Sequence, residues 1–437
     1  LGDVYKRQAL FGALVVGCTD LDTAPLSSTI TADQKEDVVA ADPSKIEASV
    51  TAITANFTQY AKIYTEDDNV HSDIGYPTIM LATDSRTTDF VADITGYNWY
   101  SNSADYSDCL STSTATIEFW GTLYNQIYTA NAVIGTVDNE TSDPTLQFYL
   151  AQALAIRAFD YFTLVQLYQF NYKGHEDAPG VPIITPENAE EAAANGCARS
   201  TVKETYEFIL GDLNKAIELL ANTKKTRSDK RYVSLDVAYG IRARVHLTMH
   251  NYADALKDAE AALASTSSVP YSSAAVSKPT FIDIEDASWM WGILITDKDR
   301  VSTTGICNFP SHMGSLNYGY ASVGGWRRIS PKLYNQIPES DVRKGWFLDD
   351  TGVSVNLPAA AQAYITKKGA PVYTQVKYGP MNDEWGSNNN ATDVILMRVE
   401  EMYLIKAEAQ AMNNDVSGGV NLSLIHISEP TRRVVIS

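Results

Sequence analysis

Apolar residues recur at helical spacing through much of this chain, and one stretch is apolar on more than one face. Between residues 144 and 170 the positions Leu150, Ala153, Leu154, Ile156, Ala158, Tyr161, Phe162, Leu164, Val165, Leu167 and Tyr168 exceed what a single amphipathic stripe needs. A helix with that pattern is covered from several sides, so it belongs inside an array of helices. Asp143 followed by Pro144 supplies a capped first turn. The same spacing predicts a helix over 43 to 64, opened by Asp42-Pro43-Ser44 and carrying Ile46, Val50, Ile53, Phe57 and Tyr60. Further helices are predicted over 114 to 137, with Phe119, Trp120, Leu123, Ile127, Ala130 and Ile134 inward, over 200 to 222, and over 393 to 413. Two more, 234 to 249 and 251 to 264, flank a tight turn at His250-Asn251. Their small residues Ala238, Ala243, Ala255, Ala259 and Ala262 let one helix press on the next, as in a tetratricopeptide-like unit. The expected fold is mainly α: a degenerate tetratricopeptide-like helical-repeat scaffold.

Residues 65 to 113 and 266 to 392 break the pattern. They hold Gly324-Gly325, scattered Pro, the run Gly386-Ser387-Asn388-Asn389-Asn390 and most of the Trp, which reads as long loops and short strands inserted into the scaffold. Loops held by a rigid frame are where binding surfaces usually form, so these insertions are the expected ligand-binding face.

Composition sharpens that expectation. The 437 residues include 25 Tyr and 7 Trp, more rings than a core requires, and amphipathic rings in excess favour recognition surfaces. A net charge of −19 argues against nucleic acid, whose phosphates demand concentrated Lys and Arg. Cys109, Cys197 and Cys307 form no close pair, and no Cys-x-x-Cys suggests a metal or redox centre; which of them could form a disulfide is left open. No apolar run of about 20 residues is present to span a bilayer.

The segment Arg157-Ala158-Phe159-Asp160-Tyr161-Phe162-Thr163-Leu164-Val165-Gln166-Leu167-Tyr168, with its Val181-Pro182 exit, resembles the SusD/RagB family of nutrient-binding surface lipoproteins. The resemblance continues in order through Arg199-Ser200-Thr201-Val202 to Leu219-Leu220, Ser330-Pro331-Lys332-Leu333-Tyr334 with Asp341-Val342-Arg343, and Ile395-Leu396-Met397-Arg398 to Ala407-Glu408-Ala409. Arg343 is assigned to structure, as a loop staple with Asp341. The short apolar run Ala9 to Gly17 ending in Cys18 fits a bacterial lipobox, so Cys18 is the expected lipid attachment point. Residues 18 to 42 then read as a tether, 1 to 17 as the remnant of a signal peptide, and 43 to 422 as the SusD-like domain. Residues 1 to 8 and 423 to 437 look like foreign adapter-derived sequence, which would leave the domain truncated at its C-terminal end.

The family implies a cell-surface, outer-membrane protein that captures an oligosaccharide and hands it to a SusC-like TonB-dependent transporter. Asp20 and Asp22 resemble the acidic signal that routes such lipoproteins to the outer face. Sugars are recognised by rings laid on the apolar pyranose face and polar groups on the hydroxyl edges. The stretch Asp84 to Asn102 carries both, so Asp84, Arg86, Tyr97, Trp99 and Asn102 are candidate ligand contacts. Tyr318, Tyr320 and Trp326, near Gly324-Gly325, form a second aromatic group. Each Trp is read equally well as a core anchor.

Catalysis has no positive signal. His246 and His250 lie four apart, but the Glu of a His-Glu-x-x-His is missing. Gly-x-Ser-x-Gly, Walker and dinucleotide-binding glycine motifs are absent too. Glu66-Asp67-Asp68-Asn69, with Asp73 beyond, lacks the glycine and terminal Glu of a calcium loop and reads as solvated. No cofactor or metal is expected. Three rival readings remain: a RagB-like peptide binder, a surface glycoside hydrolase with two carboxylates about 5 to 10 Å apart, and a pure helical scaffold in which Trp99 and Trp326 are both buried.

Overall fold

A computed structural model describes residues 32–60 and 70–426. Cys18, the lipobox and the Glu66-Asp67-Asp68-Asn69 cluster lie outside them. Helices of eight or more residues are α1 (Ala32–Ala41), α2 (Glu47–Ala55), α3 (Tyr76–Ser85), α4 (Thr114–Ile134), α5 (Pro144–Tyr168), α6 (Val202–Asn222), α7 (Leu235–Thr248), α8 (Tyr252–Ser265), α9 (Ala359–Lys367), α10 (Val399–Met412) and α11 (Val416–His426). Four short strands complete the frame: β1 (Phe90–Val91), β2 (Trp289–Ile293), β3 (Arg328–Ile329) and β4 (Val394–Arg398).

The protein is mainly α, and α5 is its centre. Every residue from Phe148 to Val165 is buried. Asp143 accepts hydrogen bonds from the Thr145 and Leu146 amides and so caps α5, with Pro144 in the first turn. Helix α5 lies between α4 and α6, α7 packs on α8, and α10 bridges α8 to α11. The turn from α7 to α8 is made by His250 in the left-handed region (φ +62°). Arg157, the first residue of the family-like motif, is a staple: its guanidinium grips both oxygens of Asp212 on α6 at 2.7 and 2.8 Å and donates to Asn131 Oδ1 on α4 at 2.7 Å. Burial raises the Asp212 carboxyl, and Arg157 pulls it back down. Asp160, three residues on, is wholly buried with no partner for either oxygen, and burial holds its carboxyl well above the usual carboxylate range.

Several elements differ from the periodicity. Helix α2 stops at Ala55 rather than near 64, because the Phe57 carbonyl accepts the Tyr76 amide (2.8 Å) and Phe57 turns into the core. Gly75 permits that junction: it has φ +85°, and a Cβ there would lie 2.5 Å from the Phe57 carbonyl oxygen. Residues 394–398 form β4, antiparallel to β2, so the last predicted helix begins only at Val399. Its continuous apolar run does not distinguish a buried strand from a helix. Helix α3 sits in a segment expected to be loop, and Pro77 in its first turn was the overlooked signal. Residues 32–41, placed in the tether, are helical, with Val39 buried. Trp120, expected inward, is 36% exposed.

Candidate functional site

Two loop segments far apart in sequence are brought together here. Strand β1 pairs antiparallel with β3, Phe90 opposite Ile329 and Val91 opposite Arg328, which brings the loop after β1 beside the loop before β3. Arg327 then ties them. Buried and without a carboxylate partner among the described residues, it donates from Nη1 to Asn98 Oδ1 (2.7 Å) and from Nε to the His312 carbonyl (2.8 Å), over the faces of Phe90 and Tyr100. Burial pulls its pKa down to about 10. Gly325 supplies the close approach, since a Cβ there would stand 2.7 Å from the Tyr97 carbonyl oxygen.

Rings from both segments meet at this junction. Trp99 stacks on His71 (5.0 Å between centroids, 29°) and sets its edge to Tyr320 (6.0 Å), while Tyr97 lies 6.4 Å from Tyr320. Tyr320 stacks in turn on buried His312 (5.0 Å, 21°) and hydrogen-bonds through its hydroxyl to His71 Nδ1. Desolvation pushes His312 down to about 3, so its ring is neutral; Nε2 bonds the His71 carbonyl (2.9 Å) and Nδ1 has no partner. Tyr97 (50%) and Tyr318 (42%) are exposed, Trp99 and Tyr320 half-buried. The Trp99 indole N–H is buried on the side of the Tyr320 hydroxyl, and that contact offsets part of the rise that burial gives the hydroxyl. The outer faces are thus open while the inner ones are pinned, as a platform for a flat apolar surface requires.

Behind Trp99 lies a cavity of about 400 Å³ whose wall includes Ser72, Thr78, Asn102, Ser103, Asp108 and Glu118. Asp108 is committed: it pairs with Arg86 (3.1 Å) and accepts from Ser103 Oγ (2.5 Å). Glu118, on α4, is 2% exposed, and its Oε1 has no hydrogen-bond partner. Burial, with the like charge of Asp73 behind it, raises this carboxyl to about 8.

The predicted candidates divide accordingly. Tyr97, Trp99, Asn102, Tyr318 and Tyr320 gather at or beside the platform. Trp326 does not: it is 7% exposed and packs with Leu316, Leu348, Ala361, Ile365 and Val376, because the chain turns its ring into the space under α9. This corrects its assignment as a ligand contact. Arg86 is spent on Asp108 and on Phe119, whose ring its guanidinium covers at 6.0 Å, and Asp84 is exposed at the far end of α3 within electrostatic reach of Lys377. His71, His312, Arg327 and Glu118 were missed. The one usable signal was Glu118, an acid beside the inward residues of α4.

The His246 and His250 pair is not on one helix face. Helix α7 ends at Thr248, His250 forms the turn, and His246 Nε2 lies 3.7 Å from Asp258. Among the described residues no cluster of His, Cys, Asp and Glu could hold a metal, and Cys109, Cys197 and Cys307 are free thiols. Arg343 pairs with Asp341 at 2.5 Å, the staple expected of it. A cavity of about 490 Å³ near Tyr334 and Tyr373, walled by Glu339, Asp341, Asp349 and Asp350, holds none of the candidates.

Comparison with known proteins places this geometry. The SusD-like family described as starch-binding and associating with the outer membrane matches residues 33–247. The matched stretch, residues 33–247, is SusD-like. SusD-like protein P2 of Formosa agariphila is 25% identical over 342 residues, which cover 72% of this chain and 62% of that protein. The chain therefore spans under two thirds of that SusD-like relative. A SusD-like carbohydrate binding protein from Bacteroides vulgatus superposes with a TM-score of 0.69 at 24% identity, covering 87% of this chain and 75% of that one. Surface glycan-binding protein A from Bacteroides thetaiotaomicron, solved with laminarihexaose, has a TM-score of 0.58 at 17% identity, covering 87% and 82%. At these identities the two structures speak for the SusD-like fold. No helix among the described residues is long and apolar enough to cross a membrane.

Proposed function

We propose that this protein is a cell-surface oligosaccharide-binding lipoprotein, anchored to the outer membrane through Cys18, that captures a glycan and delivers it to a SusC-like TonB-dependent transporter. The observation that carries the reading is the ring platform of Tyr97, Trp99 and Tyr320, with exposed Tyr318 two residues from Tyr320 and Asn102 beside Trp99. Rings fixed from behind lose little freedom when a pyranose face is laid on them, and adjacent amide and hydroxyl groups reach its edges. The laminarihexaose complex of a structural neighbour supports the ligand class. The platform displays no nucleophile with an adjacent base, so the reading is capture without turnover. The loop face made by 65–113 and 266–392, carried on the helical scaffold, is the binding part of the SusD-like domain in this reading.

The test is affinity electrophoresis and calorimetry of the purified protein against a panel of polysaccharides, oligosaccharides and peptides. Retardation by a glycan, lost in Trp99→Ala and unaccompanied by product release, is the expected result. Binding of peptides alone would overturn it in favour of the RagB-like alternative.

A further inference from the structure

The cavity behind Trp99 differs from an ordinary packing defect in its chemistry. Sixteen of the described residues line it, and among these none is Lys, Arg or His. Its two carboxyls are in opposite states. Asp108 is neutralised by Arg86 and further held by Ser103, whereas Glu118 Oε1 is unpartnered. Buried polar groups are nearly always paired, so an orphaned carboxyl oxygen in the wall of a polar cavity marks where a hydrogen bond is missing until something enters. The volume falls within the range of about 300 to 1,000 Å³ that ligand pockets occupy.

We propose that this cavity is a subsite for one uncharged, hydroxyl-bearing sugar unit of the bound glycan, with the Glu118 carboxyl hydrogen-bonding that unit and the site excluding uronic or sulfated units. The inference rests on the oligosaccharide reading and adds to it a charge class and a residue that enforces it. Among the described residues Arg86, the cation paired with the wall, is held by Asp108, so an anionic sugar entering here would meet the Glu118 carboxyl without a free counter-charge in that wall. A neutral sugar supplies a hydrogen-bond partner for Glu118, and its hydroxyls meet Asn102 and Ser72 in the wall.

The titratable and charged groups around Glu118 are Asp73 before α3, Tyr100, and the Arg86–Asp108 pair; Tyr168 of α5 also reaches α4 here, donating to the Thr116 carbonyl (2.9 Å). Tyr100 is buried, and its hydroxyl is pushed far above its ordinary value. Gln59 donates to the Asp73 Oδ1. With its carboxyl raised to about 8, Glu118 changes charge between pH 7 and 9.5.

The experiment measures binding of neutral six-unit gluco-, galacto-, manno- and xylo-oligosaccharides and of oligogalacturonate to the full protein, to Glu118→Gln and to Glu118→Leu, with Trp99→Ala alongside. The proposal expects a neutral oligosaccharide to bind about tenfold or more tightly than oligogalacturonate, Glu118→Gln to retain that affinity within about threefold, and Glu118→Leu to lose about tenfold. It also expects wild-type affinity to fall between pH 7 and 9.5 while Glu118→Gln stays level. Equal loss in Glu118→Gln and Glu118→Leu, or tighter binding of oligogalacturonate, would overturn the neutral-acid subsite. Unchanged affinity in Glu118→Leu with loss in Trp99→Ala would overturn the subsite and leave the platform reading standing. Failure of every glycan to bind wild type would overturn both.

Discussion

Two clusters of rings in this protein use the same residue types and end in opposite states. In the helical core, Phe57, Phe159 and Trp291 meet edge to face at 5.1 to 5.9 Å, and the Trp291 indole N–H donates to the Arg231 carbonyl at 3.0 Å. At the loop junction, Tyr97 and Trp99 lie 6.4 and 6.0 Å from Tyr320, and Tyr97 is half exposed. The core cluster spends its rings on packing and satisfies its polar handle within the fold. The loop cluster keeps ring faces in reserve. Aromatic content alone thus says little about binding; what separates the two is whether ring faces are left open to solvent.

That contrast is best broken by substituting on each side. The largest expected effects are in the scaffold: Arg157→Ala strands Asp212 as an unpaired buried acid, for a loss of about 3 to 5 kcal/mol in denaturant unfolding. Trp291→Ala should cost about 3 to 5 kcal/mol by opening a cavity, with glycan affinity of the remaining folded protein unchanged. Gly325→Val comes next, because its Cβ forces the Tyr97 carbonyl away; about 1 to 3 kcal/mol of stability and most of the glycan affinity should go together. Trp99→Ala should invert the scaffold pattern, weakening calorimetric affinity about tenfold while unfolding shifts little. If Trp291→Ala weakens binding and Trp99→Ala does not, the distinction between the clusters fails.

A separate set of effects is in pH. His312 has a pKa of about 3 in the fold against an ordinary value of 6.5, so it takes up its proton only on unfolding. Its contribution is therefore complete above about pH 6.5 and is lost as pH falls towards about 3, and His312→Gln should flatten that part of the stability profile. Glu118 runs the other way: its raised pKa makes stability fall as pH rises from about 4.5 to about 8, a slope that Glu118→Gln should remove.

How much of this was legible beforehand follows from what kind of interaction decided each part. The helices around α5 were readable because burial on several sides writes itself into local spacing, and Asp143-Pro144 marks its own cap. Tyr97, Trp99, Tyr318 and Tyr320 were readable as residue types suited to sugars, but only as two separate groups. Trp326 was misjudged as a contact because a Gly-flanked Trp looks the same in sequence whether its ring faces solvent or the space under α9. Residues 394–398 passed for helix because a run of apolar residues fits either a buried strand or a buried helix, and only the pairing with β2 chooses.

The sequence by itself determined the helical scaffold, its family resemblance and the stock of rings available for recognition, since these depend on periodicity, caps and composition within short windows. Tertiary structure alone decided that residues 97–102 and 318–320 form one surface, that Arg327 and Gly325 lock them together, and that Glu118 is left without a partner beside Trp99. Those facts depend on which side chains are desolvated by residues more than 200 positions away, as in the contact of Arg327 with Asn98. Desolvation at that range leaves no mark in local spacing.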